Sequence, residues 1–207
     1  MSCFDRHPVL APLAPQTVLA LDMLENCVRR GGKILLCGNG GSASDCEHIT
    51  GELLKGFLLQ RPLSAAQRRV LADNGAEELC DGLQQAIPAI SLVSGVAFPT
   101  AFANDVEGRY IFAQQVLALG RPGDVLWGIS TSGNSINVLL ALRAARAFGL
   151  KTLGLTGGNG GQMAALCDVE LRVPAVEIAH VQELHLPLYH ELCAELERRL
   201  FCHTECL

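Results

Sequence analysis

His48 and Glu52 stand four residues apart in a stretch of helical pattern, Ser44 to Phe57, just beyond a glycine-rich turn. Positions i and i+4 share one helix face, so an imidazole and a carboxylate would project together near that turn. Gln182, His185 and His190 lie in the closing helical segment. At about 100° per residue, eight steps leave His190 roughly 80° around from Gln182, so both could face one site. Pro187 removes a helical hydrogen bond and is expected to bend this segment. Two imidazoles, a carboxylate and an amide oxygen are donor types that bind zinc, and a carboxylate with an imidazole is also an acid–base pair. Spacing alone favours reading the same residues as ordinary helix surface. His185 could equally be a packed helix histidine, and His203, between Cys202 and Cys206, reads as a frayed tail rather than a zinc site.

Anion binding is the second chemistry the residues suggest. Three apolar runs end in turns rich in Gly or Ser: Gly38-Asn39-Gly40-Gly41-Ser42, Ser130-Thr131-Ser132-Gly133-Asn134-Ser135, and the glycines at 157, 158, 160 and 161. Each leads toward a helix, whose first N–H groups and positive dipole end suit a phosphate. The hydroxyls of Ser130, Thr131, Ser132 and Ser135 could wrap one without a lysine. No GxxxxGK[ST] is present, which excludes a Walker-type P-loop. Gly38 to Ala43 matches the dinucleotide fingerprint, but Phe57-Leu58-Leu59-Gln60 lacks the acidic strand end that a nicotinamide-dependent enzyme would place there.

The elements that must hold these residues alternate. Helical spacing runs from Thr17 to Arg30, within a first helix placed at 14–31, and strands are expected at Lys33–Cys37, Ala89–Val93, Asp124–Ile129, Lys151–Leu155 and Val169–Val173. Helices follow at Ser44–Phe57, with Ser44 and Glu47 as a capping box, near Arg109–Ala118, from Ser135 to Phe148, and from Ile178 to Leu200. Such alternation predicts a single α/β domain over 1–207, a five-stranded parallel sheet flanked by helices on both faces. Residues 61–85 are polar and read as two short helices split by Asp73-Asn74-Gly75, a segment expected to act as a lid or an interface.

Composition narrows the classes. Apolar residues at 49% against 18% charged supply a core and exclude a mainly disordered chain. A net charge of -5 argues against nucleic acid as the main partner. The uncharged run from Ala86 to Ala103 is broken by Pro88, Gly95 and Pro99, so it is read as a buried strand and turn, not a membrane span. Nine cysteines, with no CxxC pair and no signal-like start, point to reduced thiols in a cytoplasmic protein.

The stretches GGKILLCGNGGSASD, GDVLWGISTSGNSINVLLALRAA, LKTLGLTGG and VQELHLPLYH, in that order, resemble the sugar isomerase (SIS) domain family, most closely its sedoheptulose 7-phosphate (phosphoheptose) isomerases. The resemblance implies that Asn39, Gly40, Gly41 and Ser42 contact the sugar phosphate and that Ser130, Thr131, Ser132 and Ser135 cradle the phosphate. It places Asn104, Asp105 and Gln182 against substrate, makes Glu52 and His190 catalytic, and assigns His48, Glu52, Gln182 and His190 to zinc in members that hold it. It also implies a phosphorylated sugar substrate and a homotetramer with sites shared between subunits. Two departures stand out: the long 61–85 link where the family has a short Arg-containing one, and Ser42-Ala43-Ser44 where many members carry a His-Cys pair after the serine. The expected reaction is proton transfer by Glu52 between C1 and C2 through an enediol, with His190 as its acid–base partner. A non-catalytic SIS protein that binds a phosphosugar or associates with a replication initiator is the alternative.

Overall fold

The computed structural model describes residues 2–202, so His203 and Cys206 lie outside the described residues. Five parallel strands, β1 (Ile34–Cys37), β2 (Ala89–Ser91), β3 (Val125–Ile129), β4 (Lys151–Gly157) and β5 (Val169–Val173), form one sheet in the order β2-β1-β3-β4-β5. Ile34 pairs with Ala89 on one side and Val125 on the other, and Cys37 faces Gly128. The central strands are buried throughout because both sheet faces are covered. Alternate side chains go to opposite faces. Ile34, Leu36, Val125, Trp127 and Ile129 join a core with α2 (Ala14–Arg29), α3 (Gly41–Leu54) and α8 (Ile178–Phe201). Leu35, Cys37 and Leu126 join the opposite core with α6 (Ile111–Leu119) and α7 (Ile136–Ala147).

Several elements depart from expectation. A short helix α1 (Cys3–Arg6) and a 3-10 turn, Pro8–Leu13, precede α2, and the Cys3 N–H bonds to Glu191 Oε2 on α8 at 2.6 Å. Helix α3 begins at Gly41 rather than Ser44, so the Ser44–Glu47 capping box does not form. Gly40 caps it instead with φ 55°, a conformation that turns the chain directly from β1 into the helix. The 86–103 stretch is not only strand and turn, since α5 (Ala97–Phe102) follows β2. Pro99 is accommodated there because the first N–H groups of a helix need no intrahelical acceptor. Within 61–85, α4 (Ala65–Asp73) is capped by Ser64, which accepts the Gln67 N–H and whose own N–H reaches the Gln67 side chain. A 3-10 turn, Glu77–Leu79, supplies the second short helix. Among the described residues no helix is long and apolar enough to cross a membrane, and the eight described cysteines are free thiols.

Candidate active site

Strands β1 and β3 are neighbours, yet the chain leaves β1 toward β2 and leaves β3 toward β4. That reversal opens a crevice beyond their carboxyl ends, where ligands of doubly wound sheets bind. The turns after β1 and β3 are the two that sequence nominated for phosphate. They are joined by a reciprocal amide pair: Asn39 donates to Asn137 Oδ1 at 2.9 Å, and Asn137 donates to Asn39 Oδ1 at 2.8 Å.

The second turn is built around Gly133, at φ 65°, where any Cβ would collide with the Gly160 carbonyl. Glycine therefore lets the β3 and β4 turns touch. Asn134 fastens them further, donating to Ser132 O at 2.9 Å and accepting the Gln162 N–H at 3.1 Å. Ser135 precedes α7 but its side chain does not cap the helix; its hydroxyl meets that of Ser130 at 3.0 Å. The start of α7 thus keeps N–H groups for an anion, with the exposed Ser132 and half-buried Thr131 alongside.

Helices α3 and α8 bring the candidate acid–base residues together. His48 Nε2 lies 3.3 Å from Glu52 Oε1 and 3.4 Å from His190 Nε2. Lys55 holds the other Glu52 oxygen at 2.9 Å. Burial, and then the neighbouring His48, lower the His190 pKa from its ordinary value, so neutral imidazole is favoured. The Phe57 ring packs on His190 with centroids 5.4 Å apart. His48 Nδ1 lies 3.0 Å from the Tyr189 hydroxyl, and that hydroxyl donates to Asp45 Oδ1 at 3.3 Å. Asp45 is pushed up by burial, and its Oδ2 is buried without a partner.

The structure thus brings together Glu52, His48 and His190, three of the residues the sequence nominated. Gln182, on α8, lies at the start of α3, its amide against Gly41, where a Cβ would run into it. Asn104 and Asp105 are exposed on a π-turn after α5 and hydrogen-bond each other at 2.8 Å. His185 is the packed histidine, wholly buried, with Nε2 3.2 Å from Thr156 O. Asn137, Tyr189 and Asp45 were missed. Asn137 alone left a signal, an amide two residues past the Ser-rich turn.

Whether these side chains suit zinc can be read from their arrangement. Among the described residues, no three or more His, Cys, Asp or Glu side chains are grouped as ligands of one metal ion. The donor types fit, and His48 lies within 3.4 Å of both Glu52 and His190.

A parallel sheet of this order with Gly- and Ser-rich turns at its switch point is the architecture of an SIS domain, and the SIS domain family model matches residues 84–157. The phosphoheptose isomerase of Desulfovibrio desulfuricans is 45% identical over 175 residues, 84% of this chain and 72% of the relative. That of Shewanella sp. (strain W3-18-1) is 41% identical over 94% of this chain and 89% of its own. The structure of the Neisseria gonorrhoeae phosphoheptose isomerase superposes with a TM-score of 0.75 at 36% identity, over 93% of this chain and 90% of that one. The chain belongs to the phosphoheptose isomerase family.

Proposed function

We propose that this protein interconverts sedoheptulose 7-phosphate and D-glycero-D-manno-heptose 7-phosphate. The observation that carries the reading is the meeting of Glu52 and His190, from opposite ends of the chain, through His48. A module that only bound the sugar would not need that couple.

The phosphate is held by the N–H groups and hydroxyls of the 130–135 turn, and the 39–42 turn lies beside it. Binding energy gained at the phosphate aligns C1 and C2 with the catalytic pair. Glu52 removes a proton from C1 of the open-chain ketose, and the electrons of that C–H bond form the C1–C2 double bond of an enediol. Returning the proton to C2 yields the aldose, while His190 moves a proton between O1 and O2. Each such transfer contributes about 10²–10⁴-fold. Zinc, where it binds, would draw on His48, Glu52, Gln182 and His190 and stabilise charge on the enediol oxygens; no step above depends on it. A homotetramer in the cytoplasm, with sites completed between subunits, belongs to the same proposal and is read by light scattering.

The test is turnover of sedoheptulose 7-phosphate in deuterated water. Deuterium should enter C2 of the aldose with the native protein and not with Glu52→Gln. A folded native protein that binds the sugar without exchange would instead make it a phosphosugar-binding module.

A further inference from the structure

The reaction leaves one buried ion pair unused. The side chains of Arg61 and Glu197 are both fully buried, and Arg61 Nε lies 2.7 Å from Glu197 Oε1. The guanidinium also donates to the Leu53 carbonyl at 2.8 Å and the Glu52 carbonyl at 3.2 Å. These belong to the last residues of α3, whose carbonyls have no helical donor. The Glu197 carboxylate accepts the N–H groups of Phe57, Leu58 and Leu59 at 2.8, 2.8 and 3.0 Å.

Glu197 lies on α8 seven residues, about two turns, beyond His190. One pair of side chains therefore ties the end of the helix bearing His48 and Glu52 to the helix bearing His190. It also fixes the loop whose Phe57 packs on His190. Stability alone does not explain such a pair, because apolar residues of similar volume often stabilise a core as well or better. Lysine could not replace the arginine, since a point charge cannot meet a carboxylate and two carbonyls as the planar fork does.

We propose that Arg61 and Glu197 are positioning residues that set Glu52 against His190. This rests on the isomerase reading. The rest of the excursion hangs outside the clamp. Its ends meet where Pro62 bridges Gln84, the Gln85 N–H bonds to Arg61 O at 2.8 Å, and Gln84 Oε1 accepts the Gly56 N–H at 2.7 Å.

The experiment compares kcat and KM of the native protein, Glu52→Gln, Arg61→Lys and the double variant Arg61→Met/Glu197→Leu, with melting temperature and circular dichroism alongside. Expected is a fall in kcat of at least fivefold in each folded Arg61 variant, with KM changed less than threefold. A folded variant whose kcat falls by less than fivefold, or whose loss lies mainly in KM, overturns the assignment. Should the double variant not fold, Arg61→Lys decides by the same limits; should it also not fold, the pair is structural and the assignment fails. An inactive native protein overturns the isomerase reading and this one with it, whereas an active native protein with active Arg61 variants overturns this one alone.

Discussion

Asn39 and Asn137, on the turn after β1 and the first turn of α7, exchange two hydrogen bonds across the crevice between neighbouring strands. The pair fixes the spacing of the two turns assigned to the sugar phosphate. Asn137 Oδ1 also accepts the Val138 N–H at 3.0 Å, so its own rotamer is held. Asn137→Asp would remove one amide donor, oppose two oxygens and place a negative charge where a phosphate is to sit. KM for sedoheptulose 7-phosphate should rise about tenfold or more, as charge-assisted contacts of this kind contribute ~1.5–3 kcal/mol, with kcat nearly unchanged. An unaltered KM would remove Asn137 from the site.

Much of this arrangement is legible in the sequence, and the part that is not has physical reasons. Strand alternation and Gly-rich turns gave the sheet, because a strand buried on both faces reads as an uninterrupted apolar run such as Ile34–Cys37. His48 and Glu52 were legible since helix periodicity fixes their common face. What escaped needed distance in sequence to be closed by the fold. Tyr189 looks like an ordinary core aromatic until α8 lays it against His48, and Arg61 looks like one charge in a polar insertion until Glu197 meets it. The start of α3 was misplaced for a local reason: Ser44 is a good cap by type, but Gly40 alone could take the backbone angles that turn β1 into the helix.

The buried His185 makes stability depend on pH. Burial lowers its pKa to about 4, against about 6.5 in an unfolded chain. Between those values the unfolded chain binds more protons, so stability falls as pH drops from 6.5 toward 4 and is unaffected above that window. The full loss is about 3 kcal/mol. Urea unfolding at pH 7.5 and pH 4.5 should show a steeper loss for the native protein than for His185→Gln, which cannot take up the proton. Equal losses would mean that another group governs the acid limb.

The excursion after Arg61 should be dispensable to the chemistry. Helix α4 buries none of its side chains, and the excursion is held within itself by Arg68, which reaches Cys80 O at 2.9 Å and Asp81 at 2.7 Å. Because Pro62 and Gln84 already pair as an antiparallel bridge, an Asn-Gly turn can join them in place of residues 63–83. The shortened protein should fold and keep kcat within twofold. A folded protein with strongly reduced kcat would show that the segment serves the site, as a lid must.

Two glycines of α3 give the sharpest contrast between fold and function. A Cβ at Gly51 would meet nothing within 4 Å, whereas one at Gly41 would run into the Gln182 amide. Both occupy helical positions, where alanine is intrinsically better than glycine by up to about 1 kcal/mol. Gly51→Ala should therefore raise the melting temperature by a few degrees and leave kinetics alone. Gly41→Ala should gain no such stability, because Gln182 must swing aside, and substrate turnover should fall by about tenfold as that amide leaves its place beside the 39–42 turn. Were both variants equally active, Gln182 would be supporting the turn without taking part in binding, and its assignment to substrate would have to be withdrawn.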